Sequence, residues 1–156
     1  MSTATSADFY IIVVENPITT SRSSSTDFTV AAIFREEAET VRFLIDRLIT
    51  AEQDFCRHWY QRAVAVDMWT EAILPYLRSG DRTHLPGILL ITQAFTFLRL
   101  HRYRCSEAQQ PPVALYLSEP PVPTVADLVR RCEEHVATTV PDASGTSPQS
   151  TKGVIP

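Results

Sequence analysis

The run from Arg35 to Gly80 constrains this chain more than any other stretch. Apolar residues recur there at Val41, Leu44, Ile45 and Leu48, then at Phe55, Trp59, Ala63, Val66, Trp69, Ile73 and Leu77. The steps are threes and fours, the period of a helix with one buried face. Glu36, Glu37 and Glu39 crowd the start, where the helix dipole favours acids, and Gly80 supplies a stop. A single helix from Val41 to Gly80 would be about 60 Å long. A globule of 156 residues has a radius of gyration of only about 15 Å, so the run must break. Thr50 to Gln53 has the Thr-x-x-Gln form of a capping box. It predicts one helix before Thr50 and another after it, with a kink or a separate last turn around Pro75.

Upstream, Phe9–Val14 is aromatic and β-branched and stops at Asn16-Pro17, which predicts a strand buried on both faces. Phe28–Phe34 predicts a second strand, and the Ser/Thr-rich segment 18–26 between them predicts a hairpin with a long loop. Arg22 precedes three serines in that loop, either a phosphorylation site or merely solvated surface. Downstream, Ile88, Ile91, Phe95 and Leu98 share a helical face that Leu89 widens, so a central helix buried nearly all round is expected. The half from Phe95 to Arg104 also fits a strand. Residues 113–117 read as a short strand between prolines. The fold class is therefore α+β: a single domain over roughly 8–137, with about four helices packed on a small sheet. The Pro-, Ser-, Thr- and Gly-rich residues 138–156 are expected to form a disordered tail.

Composition removes several function classes. A net charge of −4 argues against a general nucleic-acid binder. The most apolar run, Leu85–Leu100, carries Thr92, Gln93, Thr96 and Arg99, so no membrane span is expected. The first ten residues carry no basic region and no apolar block, so no secretory signal is expected. Cys56, Cys105 and Cys132 are odd in number and widely spaced, which fits a reducing compartment, the cytoplasm or nucleus. With no Gly-x-Ser-x-Gly elbow and only four glycines, nucleophile elbows and phosphate-cradling loops are excluded. No catalytic residue and no cofactor is assigned.

Other constellations carry two readings each. Cys56, His58, His101 and Cys105 offer the two sulfurs and two nitrogens of a zinc set, as a small metal-dependent enzyme would need. Their spacing matches no common zinc pattern, and no metal is expected. Arg99, His101, Arg102 and Arg104, interleaved with Tyr103, either grip a phosphate or form the cationic last turn of a helix. Phe55, Trp59 and Trp69 belong to the core or to a hydrophobic face for a partner or a second copy.

The last helical stretch, 124–136, is punctuated clearly. Pro123 precedes it, Thr124 is an N-cap candidate, and Asp127 sits where it can assist the cap. Leu128, Cys132 and Val136 fall four apart on one face, flanked by Val125 and Val129. That face either packs on the domain or inserts into a partner's groove. The pattern from Asp127 to Val136 resembles the BC box of elongin-binding substrate receptors of the SOCS-box and von Hippel–Lindau type. The resemblance implies an adaptor that recruits elongin B–C to a ubiquitin ligase, a role that viral accessory proteins also fill. It implies that Leu128 enters a pocket of elongin C, Cys132 packs beside it and Val136 trails. The chain has 13 arginines but one lysine, Lys152, which suits a protein working beside a ubiquitin ligase and equally a GC-rich genome. The expected function is a non-enzymatic protein–protein interaction, with a homodimer and a small Cys/His enzyme as alternatives.

Overall fold

The computed structural model describes residues 6–106 and 121–139. The expected strand at 113–117 and the expected tail lie outside the described residues. Three strands form an antiparallel sheet in the order β2-β1-β3: β1 is Ser6–Thr19, β2 is Ser24–Phe34 and β3 is Leu98–Ser106. Helices α1 (Glu37–Trp59), α2 (Leu74–Ser79), α3 (Leu85–Thr96) and α4 (Val125–Thr139) complete the α+β domain. No helix among the described residues is long and apolar enough to cross a membrane.

The hairpin departs from expectation at both ends of its loop. β1 continues through Asn16-Pro17, with Pro17 opposite Thr26. Proline is tolerated there because β3 pairs only with Ser6–Val14, so beyond Val14 one edge of β1 has no strand beside it. The loop is short, not long. Thr19 pairs with Ser24, and the Thr20 N–H donates to the Ser23 carbonyl at 2.8 Å. The register shifts between Ile12 and Val13, which leaves Ala31 of β2 without a partner on β1. Such a bulge bends a strand and re-aims its side chains.

α1 runs unbroken through Thr50. Its hydroxyl bonds the Asp46 carbonyl one turn back at 3.1 Å and caps nothing. Val41, Leu44, Ile45, Leu48, Ile49 and Glu52 form one buried stripe across that point, so packing holds the helix intact. The break comes at Tyr60, in the left-handed region at φ 53° with its N–H on the Cys56 carbonyl. The chain then turns back through a π-helical segment, Met68–Ile73, that runs directly into α2. Pro75 has no N–H and its ring crowds the carbonyl four residues back; the wider π turn just before it keeps the segment helical. The expected discontinuity at Pro75 takes this form. Gly80 ends α2 at φ 74°.

Two cores meet on α1. Val41, Ile45, Leu48 and Ile49 pack with Trp69, Ile73, Leu77, Ile88, Leu128 and Cys132. Phe43 and Leu44 pack against the sheet residues Tyr10, Ile12, Ala32 and Phe34, with the Phe34 and Phe43 rings 5.4 Å apart. α3 is not enclosed as expected. Leu85, Ile88 and Thr92 are buried, but Leu90 is 69% exposed. Nor does it run into the arginine-rich stretch: α3 stops at Thr96, and Leu98–Ser106 takes the strand alternative.

α4 closes the helical layer. Thr124 caps it, its hydroxyl accepting the Asp127 N–H at 3.2 Å. The Arg42 side chain donates to the Pro123 carbonyl at 3.2 Å, and Arg131 bridges to Asp46 of α1. Thr124→Ala is expected to lower stability by about 1 kcal/mol. Urea denaturation checks this: a midpoint unchanged from wild type means that the cap contributes nothing.

Candidate partner-binding groove

α1 has a second face beside its buried stripe. Phe43, Arg47, Thr50, Ala51, Asp54 and Arg57 line a cleft of about 670 Å³. Val14 of β1 and the bulged Ala31 form the opposite wall, and Phe95, Thr96 and Leu98 close one end. Phe43 and Leu44 still touch the sheet; further along, helix and sheet part, and the cleft is the gap. A second cleft of about 560 Å³ shares Ala51, Asp54 and Phe95 with the first. It continues past Phe55, His58, Trp59, Ala94 and Phe97. The two form one groove along α1, largely apolar, in the size range that holds ligands or partner side chains.

Its rim exposes aromatic residues. Trp59 is 65% exposed and Phe97 68%. The Trp59 ring lies 6.2 Å from that of Phe55, which meets Phe95 edge-on at 5.5 Å, so an aromatic row crosses from α1 to α3. Phe97 ends α3 at φ 61° with its N–H on the Gln93 carbonyl, as Tyr60 ends α1. Both hold a left-handed position where a bulky residue is strained and glycine is the usual choice. Asp54 and His58 are joined on the rim, the His58 Nδ1 lying 2.9 Å from the Asp54 carbonyl and 3.6 Å from its carboxylate.

Behind the groove, on the core face of α1, sits a buried carboxylate. Glu52 is held by four donors: the Val64 N–H at 2.7 Å, and Arg62, the Trp69 indole and His135 Nε2, each at 3.2 Å. Burial raises its pKa, but the hydrogen bonds from His135, Val64 and Trp69 together outweigh it, and the net direction is down. The Trp69 and His135 rings meet edge-on at 5.1 Å. Arg62 also reaches the His135 and Val136 carbonyls. Glu52 thereby ties α1, the 60–67 loop, the π segment and α4 into one unit.

The sequence-derived candidates fall in different places. Leu128 and Cys132 are buried in the helical core, Val129 and Val136 are half-buried against it, and Val125 is exposed. The side chains that the elongin resemblance assigns to a partner's pocket are thus packed against the chain's own helices. Trp69 and Trp59 part company, one enclosed in the core and the other on the groove rim with half-buried Phe55. Burial pushes the Cys132 thiol up to about 12, and burial, then the Glu52 charge, raises that of Cys56. Both stay protonated at neutral pH, which suits packing and not nucleophilic attack. No three His, Cys, Asp or Glu side chains among the described residues come together as a metal site. His58 is engaged with Asp54, and the Cys105 side chain lies outside the described residues.

The arginine-rich stretch, on β3, is largely spoken for. Arg102 and Arg104 both pair with Asp8 of β1, at 2.6 and 2.8 Å, and their hydrogen bonds hold its carboxyl at about 2. Phe97, Arg47, Arg57 and Glu52 carry no motif in the sequence that marks them. Comparison of the chain with protein-family models, with characterised proteins and with solved structures yields no match.

Proposed function

We propose that this chain is a non-enzymatic interaction protein that holds a protein partner in the groove beside α1. The observation that carries this is the exposure of Trp59 and Phe97 on either side of one apolar cleft. Large aromatic side chains left in water cost free energy unless a partner covers them, and tryptophan is enriched among residues that dominate binding. The strained left-handed backbone at Phe97 supports the same reading, because it sets an aromatic ring beside the cleft where glycine would relieve the strain. Recruitment of elongin B–C through Leu128 and Cys132 belongs to the same functional class but uses α4 in place of the groove and requires α4 to leave the core.

The test is proximity labelling in cells with the wild type, a Trp59→Glu, Phe97→Ser variant and a Leu128→Ser, Cys132→Ser variant. Circular dichroism checks that each is folded. The expected result is a set of labelled proteins lost with the groove variant, and no labelling of elongin. Labelling of elongin B–C that survives the groove variant and disappears with a folded α4 variant would transfer the function to α4. Light scattering on the purified wild type covers the remaining case: a dimer dispersed by Trp59→Glu makes the groove a contact between copies of this chain.

A further inference from the structure

Resting on the groove as the partner site, we infer that its partner presents an acidic amphipathic helix. The argument is charge complementarity. Most arginines among the described residues meet a carboxylate: Arg62, Arg78, Arg82, Arg102, Arg104, Arg130 and Arg131 all do. Arg22, Arg35, Arg42, Arg47 and Arg57 have no carboxylate partner among the described residues, and of these Arg47 and Arg57 line the groove. Arg47 lies with its guanidinium 5.0 Å over the Phe43 ring, at the wall of the groove. In a chain of net charge −4, two arginines without carboxylate partners beside an apolar cleft mark a site for negative charge.

The spacing narrows the class. Arg47 and Arg57 are ten residues apart on one helix, about 15 Å along its axis. Ala51 and Phe95 supply apolar floor between them, and the groove extends past Phe55 to Trp59 and Phe97. From Phe43 to Trp59 the wall is about 24 Å long, the length of a helix of about 16 residues. A partner helix with two carboxylates about three turns apart and apolar residues between them meets both arginines and the floor at once. Asp54 lies between the arginines and repels an acid at its own position, so the partner's acids belong at the two ends of its apolar stretch and not in the middle.

The experiment pans a displayed library of random 16-residue peptides against the full chain, with counter-selection on the folded Trp59→Glu, Phe97→Ser variant. The enriched peptides are expected to be acidic, with Asp or Glu ten or eleven residues apart around apolar positions. Their affinity is expected to fall roughly tenfold or more in Arg47→Glu, Arg57→Glu, and to weaken with added salt. Peptides exchanged to Lys at the two acidic positions are expected to recover binding to that reversed variant. Enriched peptides that are neutral or basic, or that ignore the arginine reversal while still needing Trp59 and Phe97, overturn the acidic class and leave the groove standing. If no peptide is enriched over counter-selection, the groove reading falls and this inference with it; a wild-type dimer that buries the groove makes its occupant a second copy of this chain and overturns the acidic partner alone.

Discussion

Glu52→Ala is expected to cost about 3–5 kcal/mol of folding stability. The carboxylate is fully buried and accepts from four donors on three separate segments. Removing it does not simply delete hydrogen bonds. It leaves the Val64 N–H and the Trp69 indole without their acceptor and opens a cavity beside Arg62. Against a total stability of about 5–15 kcal/mol, that loss removes a large share of the whole. Equilibrium urea denaturation measures it. A change below about 1 kcal/mol means that water or neighbouring groups replace the carboxylate, and Glu52 does not tie these segments together.

The same group gives a pH dependence with a definite sign. Its folded pKa lies below the reference value of 4.5. The associated stability is therefore fully present above pH 4.5 and is lost as the pH falls through the folded value. Asp8, held at about 2 against 3.8, adds to the loss in the same acid window. Glu52→Gln keeps the shape and one acceptor oxygen but turns an amide donor toward groups that already donate. Its stability is expected to be lower at pH 7 and flatter between pH 4.5 and 2 than that of the wild type. Parallel slopes for the two proteins through that range overturn the assignment.

Much of the fold was legible in the sequence because apolar periodicity reports burial directly. The pattern at Val41, Leu44, Ile45 and Leu48 marks the core face of α1, and the β-branched runs at Phe9–Val14 and Phe28–Phe34 mark the paired strands. Local stop signals were less reliable. Asn16-Pro17 reads as a strand end, yet Pro17 sits where β3 no longer pairs, a fact of sheet topology that no local window contains. The Thr-x-x-Gln pattern at Thr50 reads as a helix start, yet the continuous buried stripe through Ile49 and Glu52 overrides it. The actual end at Tyr60 has no glycine to announce it.

The groove was almost illegible for a related reason. It is made of what α1 and the sheet fail to cover, and a gap between elements leaves no period in either one. Arg47 and Arg57 look like any exposed helix positions until Val14, Ala31 and Phe95 are brought opposite them. Trp59 and Trp69 both fit the helical period of their run, and only the turn at Tyr60 separates the exposed one from the enclosed one. Glu52 carries no signal of its role in the sequence, because its partners Arg62, Trp69 and His135 are scattered along the chain.

Leu128→Ser is expected to cost about 3–5 kcal/mol, and this number decides between a core helix and a free anchor. Leu128 is fully buried against α1 and α2, so the substitution removes apolar contacts, opens a cavity and adds a hydroxyl that needs a partner. A leucine waiting in solvent for a partner's pocket would change stability by no more than about 0.5 kcal/mol on the same substitution. The free energy of undocking α4, which hydrogen exchange reports, bounds the elongin reading. A helix that must leave the core before it binds reduces its apparent affinity by the fraction of time it is free. An undocking cost of about 4 kcal/mol is a factor of about a thousand. Hydrogen exchange then gives the second half of the answer. If the Leu128 and Cys132 amides exchange only with global unfolding, α4 is part of the domain and its apolar face is closed to a partner. If they exchange well before it, α4 detaches on its own, and the face carrying Leu128, Cys132 and Val136 is available to a partner after all.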